Sequence, residues 1–236
     1  MHAVILAGGK GSRLRPFTFT IPKPLVPIGD VPIVEILIRQ LAAQGFTRAT
    51  VSVGHLASLI QSFCGDGEAW GIPIDYVYED EPLGTVGSLA LIEHFDDDRV
   101  VVVNGDTLTD MSFANAYRSH STDDAATICA NNRSVSIDFG VLDIDENDIL
   151  VGYSEKPTLN YLVSMGTNVL SVDAVRRHLT PGERLDIPDL IARFRAAGER
   201  VRVFHPDAYW LDLGRLDDLE TGTQVFTANP ERFLQP

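Results

Sequence analysis

The sequence lacks the features that mark secreted, membrane and metal-scaffold proteins. Its 236 residues include only two cysteines, Cys64 and Cys129, and their spacing gives no zinc pattern. We therefore expect two reduced, structural thiols. No apolar run approaches the roughly 18 residues of a membrane span, and the N-terminal run is far too short for a signal peptide. These absences predict a cytoplasmic protein with no membrane partner.

Basic charge is also scarce, with 19 lysines and arginines against 33 acidic residues and a net charge of -14. A general nucleic-acid binder needs a basic footprint, so we expect no nucleic-acid partner. A phosphorylated ligand would have to be held by a few placed cations and a metal. The length suits one α/β domain, and we predict a single domain over residues 1–236.

Strand-like and helical segments alternate along the chain, which predicts an α/β fold. Apolar runs at residues 3–6 and 100–103 suit buried parallel strands. The alternation indicates a Rossmann-like, mostly parallel sheet flanked by helices, including a helix over residues 89–94. Segments 139–143 and 149–154 predict a small antiparallel insertion on the same sheet.

A glycine-rich loop follows the first strand. Gly8, Gly9 and Gly11 let the backbone turn tightly and approach a ligand without Cβ clashes. Their amides, with Arg13 and Arg15 close behind, form a phosphate cradle. Considered alone, the same glycines equally suit a flexible strand-to-loop turn.

Four charged residues are candidates for the chemistry. Asp106 ends the all-valine strand, at the sheet edge where open α/β sheets bind ligands. It is either a helix N-cap or, with Asp212 as a second carboxylate, a ligand for Mg²⁺. Lys23 and Lys156 lie in proline-stiffened segments. Each alone suits a surface charge, but together they can neutralise two substrate phosphates.

These residues together resemble the sugar-1-phosphate nucleotidyltransferases, also called NDP-sugar pyrophosphorylases. The matching motifs follow the family order: LAGGKGSRL at 6–14, PKP at 22–24, PLGTVG at 82–87, NGD at 104–106, FGV at 139–141, EKP at 155–157 and WLDLG at 210–214. The resemblance implies the nucleotide-diphospho-sugar transferase fold. Residues 1–110 would mainly bind nucleotide and residues 111–220 mainly sugar phosphate, with no C-terminal left-handed β-helix domain.

The resemblance also implies a reaction, in which a sugar 1-phosphate attacks the α-phosphorus of an NTP and pyrophosphate leaves. By motif, the nucleotide would contact Leu6, Ala7, Gly8, Gly9, Gly11, Ser12, Arg13, Glu79, Gly84 and Thr85. The sugar phosphate would contact Gly140, Glu155, Lys156, Gly166 and Asn168. The implied catalytic residues are Arg13, Lys23, Asp106, Lys156 and Asp212, of which Asp106 and Asp212 would hold the cofactor Mg²⁺. A homodimer is the assembly considered.

One segment departs from the family pattern. Ser164 stands where the family usually has Asn, and Asn168 where it usually has Tyr, so we expect an acceptor other than an ordinary hexose phosphate. Segments 15–26 and 82–85 most resemble the guanylyl branch that acts on mannose or heptose 1-phosphates. The alternatives are uridylyl, cytidylyl, adenylyl or thymidylyl transfer, and a catalytically silent NDP-sugar-binding regulator. A Rossmann dehydrogenase is disfavoured, because the loop lacks the G-x-G-x-x-G spacing.

Overall fold

The computed structural model describes residues 1–234, so the last two residues of the predicted domain lie outside it. The strands are β1 His2–Leu6, β2 Pro27–Ile28, β3 Val31–Pro32, β4 Arg48–Val53, β5 Ile74–Tyr78, β6 Arg99–Asn104, β7 Thr107–Thr109, β8 Asp124–Ser136, β9 Gly140–Ile144, β10 Leu150–Glu155, β11 Thr158–Ser171, β12 Arg200–Phe204 and β13 Trp210–Asp212. The α-helices are α1 Ile33–Ala43, α2 Ala57–Cys64, α3 Phe113–Ser119, α4 Val172–His178, α5 Ile187–Ala196 and α6 Leu216–Ala228.

Seven strands form one sheet in the order β12-β8-β11-β6-β1-β4-β5. Only β11 runs antiparallel to its two neighbours, β6 and β8, and the other adjacent pairs are parallel. The prediction of a mostly parallel sheet is confirmed. The valines of β6 are fully buried because Val101 and Val103 contact the core on one face of the sheet, while Val100 and Val102 contact the core on the other.

Helices cover both faces of this sheet. On one face, α1 presents Val34, Leu37 and Leu41 at helical spacing, and these side chains join the core that α2 and α3 also enter. On the opposite face, Leu190 and Phe194 of α5 pack with α4 against the sheet. A third cluster joins α6 to the two-stranded β7/β13 sheet and to the far side of α1.

Most predicted segments are confirmed, including the antiparallel pair, which is β9 and β10. The predicted helix over 89–94 is wrong. A 3-10 helix spans Gly87–Leu91 instead, and Ile92 is extended. Gly87 lies so close to the 183–185 backbone that a Cβ there would be 2.4 Å from the carbonyl oxygen of Glu183. This tertiary contact, which the local sequence does not contain, determines the backbone conformation of the segment.

The predicted strands near residues 125–130 and 165–172 are the inner parts of longer strands. Beyond the sheet, β8 and β11 continue together as a two-stranded ribbon, pairing Asn131 with Val163 through Ser136 with Thr158. The β9–β10 hairpin joins the two strands of this ribbon. Over residues 1–234, no helix is both long and apolar enough to cross a membrane.

Candidate active site

The glycine-rich loop leaves β1 at the carboxyl edge of the sheet. The amide of Ala7 still donates to the carbonyl of Ser52 on β4, at 2.8 Å. Gly11 then adopts φ +57°, and the hydroxyl of Thr18 donates to its carbonyl oxygen at 2.8 Å. A Cβ at Gly11 would lie 2.9 Å from the Thr18 methyl carbon, so both conformation and space require glycine. The chain then forms a 3-10 turn that carries Arg13.

Lys23 is held inside this edge. It begins a 3-10 helix, and prolines at positions 22 and 24 stiffen its backbone. Its side chain is only 11 % exposed, its ammonium forms an ion pair with the carboxylate of Asp106, and it lies 4.0 Å from Oδ1 of Asp212. The surface-charge alternative is therefore wrong for Lys23. The N-cap alternative is wrong for Asp106, because a strand and not a helix follows it.

A small sheet brings the two aspartates together. In the antiparallel β7/β13 pair, Asp212 lies opposite Thr107, the residue after Asp106. The amide of Leu213 donates to the carbonyl of Asp106 at 3.0 Å, which closes this end of the pair. At the other end of β13, the indole of Trp210 donates to a β11 carbonyl at 2.8 Å. Residues distant in sequence thus fix the separation of the two carboxylates.

The electrostatics of this pair suit a divalent cation. Burial raises the pKa of Asp212, and the neighbouring carboxylate of Asp106 raises it further, while Lys23 and Arg13 oppose the rise. In the described chain, Oδ1 of Asp106 is buried without a hydrogen-bond partner. Two neighbouring carboxylates, one with an unpartnered oxygen, form the oxygen donor set that Mg²⁺ takes from proteins. These residues therefore fit the implied metal.

A cleft of about 220 Å³ opens over Lys23 and Asp106, while Asp212, 4.0 Å from Lys23, is not among the residues that line it. It contains many of the predicted nucleotide and catalytic residues, and its lining is Leu6, Ala7, Gly9, Gly11, Ser12, Arg13, Lys23, Pro24, Gly105, Asp106 and Gly214. Sequence reasoning missed Pro24, Gly105 and Gly214 as site residues. A Cβ at Gly214 would lie 3.2 Å from Oδ2 of Asp212 and 3.4 Å from Nη1 of Arg13. The sequence signal that could have identified the two glycines is their place in the NGD and WLDLG motifs, close to Asp106 and Asp212.

A second cleft, of about 240 Å³, lies on the other side of the glycine loop. Glu79 is fixed in its wall, where Oε1 accepts from the Ser52 hydroxyl at 2.7 Å and Oε2 accepts from the Leu83 amide at 2.9 Å. A Cβ at Gly8 would lie 2.5 Å from Oε1 of Glu79. The remaining lining residues, which sequence reasoning did not name individually as site residues, are Lys10, Gly54, His55, Asp80, Glu81 and Pro82.

Gly84 and Thr85, predicted to contact nucleotide, pack against the start of α5. Gly84 adopts φ +79°, and a Cβ there would lie 2.4 Å from the carbonyl oxygen of Leu185. The hydroxyl of Thr85 accepts from the amide of Ile187 at 2.8 Å, while the amide of Thr85 donates to Oδ1 of Asp186 at 2.9 Å. Neither residue lines the two clefts. Their nucleotide contact stays a prediction.

Three predicted sugar-phosphate residues lie apart from both clefts. Gly140 and Glu155 face each other across the β9–β10 hairpin, and Lys156 follows at its end. The hydroxyl of Tyr153 donates to Oε2 of Glu155 at 2.8 Å. Glu155 and Lys156 are exposed. In the single chain, Lys156 therefore lies at the surface, as the surface-charge alternative predicts.

The other two sugar-side residues lie on β11, beside β6. Gly166, at φ +70°, leaves room for the side chain of Asn104, whose Nδ2 would be 2.4 Å from a Cβ. A register shift between Ser164 and Asn168 accompanies this turn of the strand. Asn168 is only 2 % exposed, and its Oδ1 has no hydrogen-bond partner among residues 1–234. Its sugar contact stays a prediction.

Comparison with known proteins identifies the family. The family model described as nucleotidyl transferase matches residues 2–229. The chain belongs to this nucleotidyl transferase family. Among solved structures, HddC from Yersinia pseudotuberculosis superposes with a TM-score of 0.76 at 27% identity, covering 95% of this chain and 99% of that one. HddC solved in complex with GMP-PN gives a TM-score of 0.73.

Curated relatives differ in the reaction that their names state. A UTP–glucose-1-phosphate uridylyltransferase of Synechocystis is 33% identical over 92% of this chain, which covers only 61% of that protein's length. A mannose-1-phosphate guanyltransferase of Yarrowia lipolytica is 32% identical, with 99% and 68% coverage. A D-glycero-alpha-D-manno-heptose 1-phosphate guanylyltransferase of Campylobacter jejuni is 30% identical, with 92% and 96% coverage.

Proposed function

We propose that this protein is an enzyme that converts an NTP and a sugar 1-phosphate into an NDP-sugar and pyrophosphate. The observation that carries the proposal is the grouping of Lys23 and Asp106 with Arg13 in the cleft at the glycine loop, with Asp212 4.0 Å from the Lys23 ammonium. This grouping offers cations and a metal site beside a phosphate cradle. The reaction needs no nucleophile from the protein, because a sugar phosphate is already ionised.

These side chains would act by positioning the two substrates and by neutralising the charge of their phosphates. The loop amides and Arg13 would hold the triphosphate. Lys23 would neutralise charge at the phosphate under attack, and Lys156 would bind the phosphate of the acceptor. Mg²⁺, held by Asp106 and Asp212, would supply a divalent charge that stabilises the reacting phosphates. The acceptor oxygen attacks the α-phosphorus in line, and pyrophosphate departs.

We further propose that the preferred nucleotide is GTP. The second cleft is lined by three consecutive acidic residues, Glu79, Asp80 and Glu81. Guanine presents a ring N–H beside an exocyclic amine, two adjacent donors that suit a carboxylate. The guanylyl relatives of Campylobacter and Yarrowia support this choice, while the Synechocystis relative supports a uridylyl alternative.

We propose a mannose- or heptose-type 1-phosphate as the acceptor. The relatives that favour guanylyl transfer carry these acceptors in their names. Of these two acceptors, the departures at Ser164 and Asn168 favour the heptose phosphate, because they support an acceptor other than an ordinary hexose phosphate. Replacing Ser164 with Asn tests that point. An unchanged preference between heptose and hexose 1-phosphates would contradict it.

The direct test is pyrophosphate release with Mg²⁺, a panel of five NTPs and a panel of sugar 1-phosphates. We expect release to be fastest with GTP and a manno- or heptose-type acceptor, and to be lost in Lys23→Met. Fastest release with UTP would favour the uridylyl alternative. Release with no pair, together with tight NDP-sugar binding, would indicate a catalytically silent regulator.

A further inference from the structure

The buried residue Ser52 connects the glycine loop to the wall of the second cleft. It lies at the carboxyl end of β4, between Leu6 of β1 and Val77 of β5. Its backbone carbonyl accepts the amide of Ala7, where the glycine loop begins, at 2.8 Å. Its hydroxyl donates to Oε1 of Glu79 at 2.7 Å. One residue of the fold therefore contacts both the loop beside the first cleft and the acidic wall of the second.

Glu79 differs from the two other carboxylates of the second cleft in being fixed by the fold. It is half-buried, and the amide of Leu83 donates to its Oε2 at 2.9 Å while Ser52 donates to its Oε1. Asp80 and Glu81 are exposed. Exposed side chains change rotamer on the picosecond-to-nanosecond timescale, so their carboxylates must be ordered when a ligand binds. Of the three, Glu79 is the carboxylate already oriented for recognition.

The glycine loop packs directly against this carboxylate. A Cβ at Gly8 would lie 2.5 Å from Oε1 of Glu79, and a Cβ at Gly54 would lie 3.2 Å from the carbonyl oxygen of Gly8. The carboxylate is thus held between the loop backbone and the Ser52 hydroxyl. These contacts fix its orientation relative to the loop that is proposed to hold the triphosphate.

The two hydrogen bonds leave Glu79 able to bind a ligand. An ionised carboxylate has about four acceptor positions, two on each oxygen, and the protein uses one on each. Guanine presents a ring N–H beside an exocyclic amine, and two adjacent donors can bind the two oxygens of one carboxylate. Hypoxanthine, the base of ITP, has the same ring N–H and lacks the amine. The two bases therefore differ in the donor that a fixed carboxylate can recognise.

We propose that Ser52 is a positioning residue that determines selectivity for the guanine amine, and that it acts through Glu79. The inference rests on the proposed function and goes beyond it, because it assigns base discrimination to one carboxylate and to the buried hydroxyl that orients it. Without that hydroxyl, Oε1 loses its donor and the carboxylate gains rotational freedom. The two oxygens then no longer meet the two guanine donors together.

Isothermal titration calorimetry with GTP and with ITP, both in the presence of Mg²⁺, tests this proposal. The wild-type chain should bind GTP at least about tenfold more tightly than ITP, because ITP leaves a charged acceptor without its donor. Ser52→Ala should lower this preference by about three- to tenfold. Its affinity for ITP, which lacks the amine, should change much less than its affinity for GTP.

Thr50→Val is the matched control. Thr50 lies two residues before Ser52 on β4, is 3% exposed against 1% for Ser52, and places its hydroxyl 2.8 Å from Nε2 of His2. Each substitution removes one buried hydroxyl that hydrogen-bonds to a neighbouring side chain, so both should lower the melting temperature by similar amounts. Only Ser52→Ala should change the preference for GTP over ITP. An equal change in Thr50→Val would assign the effect to lost stability and overturn the proposal.

A double-mutant cycle tests whether Ser52 acts through Glu79. Glu79→Gln should itself lower the preference for GTP, and adding Ser52→Ala should lower it no further. Additive losses would overturn the proposal, as would a wild-type chain with equal affinity for GTP and ITP or a Ser52→Ala variant with the wild-type preference. Failure of the proposed function would appear separately, because binding needs no turnover. A chain that releases no pyrophosphate but shows the expected GTP preference and cycle would keep the role of Ser52 and refute the enzyme.

Discussion

The two sides of the candidate site are built in opposite ways. On the nucleotide side, buried parallel strands end in loops whose polar groups are already partnered, as Lys23 is with Asp106 and Glu79 with Ser52. On the proposed acceptor side, Glu155 and Lys156 lie at the end of the β9–β10 hairpin, and no residue from 131 to 164 is buried. The contrast indicates that the nucleotide side is preorganised by the fold.

The largest effect is expected at the preorganised side. Asp106→Asn should lower kcat by about 10²–10³-fold, because it weakens the metal site and leaves Lys23 without its ion-pair partner. Steady-state pyrophosphate release measures this. Asp75→Asn is the control, since Asp75 is an exposed carboxylate on β5 that pairs with Arg48. Near-normal kcat in Asp106→Asn would show that the fixed carboxylate has no catalytic role.

Substitutions at two glycines, Gly84 and Gly182, separate the stability cost of crowding from the stability cost of backbone strain. Gly84 and Gly182 have similar positive φ values, +79° and +83°, but only Gly84 is crowded, by Leu185 and Asp186. Gly182→Ala should therefore cost about 1 kcal/mol from backbone strain alone. Gly84→Ala should cost about 3 kcal/mol, because its Cβ also displaces the start of α5. Urea unfolding measures both, and equal losses would mean that the crowding at Gly84 is relieved without cost.

On the acceptor side, Lys156→Met should raise the KM for sugar phosphate by about 10- to 100-fold, the effect of losing one charge-assisted contact to a phosphate. The KM for NTP and the melting temperature should not change, because Lys156 is exposed and contributes nothing to the core. Lys156→Arg keeps the charge and should retain most of the affinity. A parallel rise in the KM for NTP would contradict a role for Lys156 that is confined to the sugar phosphate.

Acid should weaken the core. His2 is buried on β1, and burial lowers its pKa to about 4 from an ordinary value of 6.5. Between these values the unfolded chain binds more protons than the folded one, so the free energy of unfolding falls as the pH falls. We expect a loss of about 2 kcal/mol from pH 7 to pH 5. In His2→Gln this part of the pH dependence should disappear, and an unchanged slope would assign it to other groups.

The sequence predicts the nucleotide side of the candidate site better than the proposed acceptor side. The valine run of β6 and the glycine loop are local signals, and the structure places both where the patterns indicate. The ion pair of Lys23 with Asp106 joins residues 83 positions apart, so no local pattern contains it. The length of β8 and β11 was missed for a related reason. In the outer half of β8 every residue but Val135 is polar, and the outer half of β11 mixes polar and apolar residues with no core to face. Hydrophobic periodicity, which reports burial, therefore gives no clear strand signal there.

The most direct test of the account is GTP binding by Gly9→Ala in the presence of Mg²⁺, measured by isothermal titration calorimetry beside thermal unfolding. No other part of the described chain lies within 4 Å of a Cβ at Gly9, which lines the cleft with Lys23 and Asp106. The alanine should therefore fold normally and meet only the bound phosphates. We predict an unchanged melting temperature with GTP affinity lowered by at least about tenfold. Unchanged affinity would contradict the assignment of this cleft as the triphosphate site.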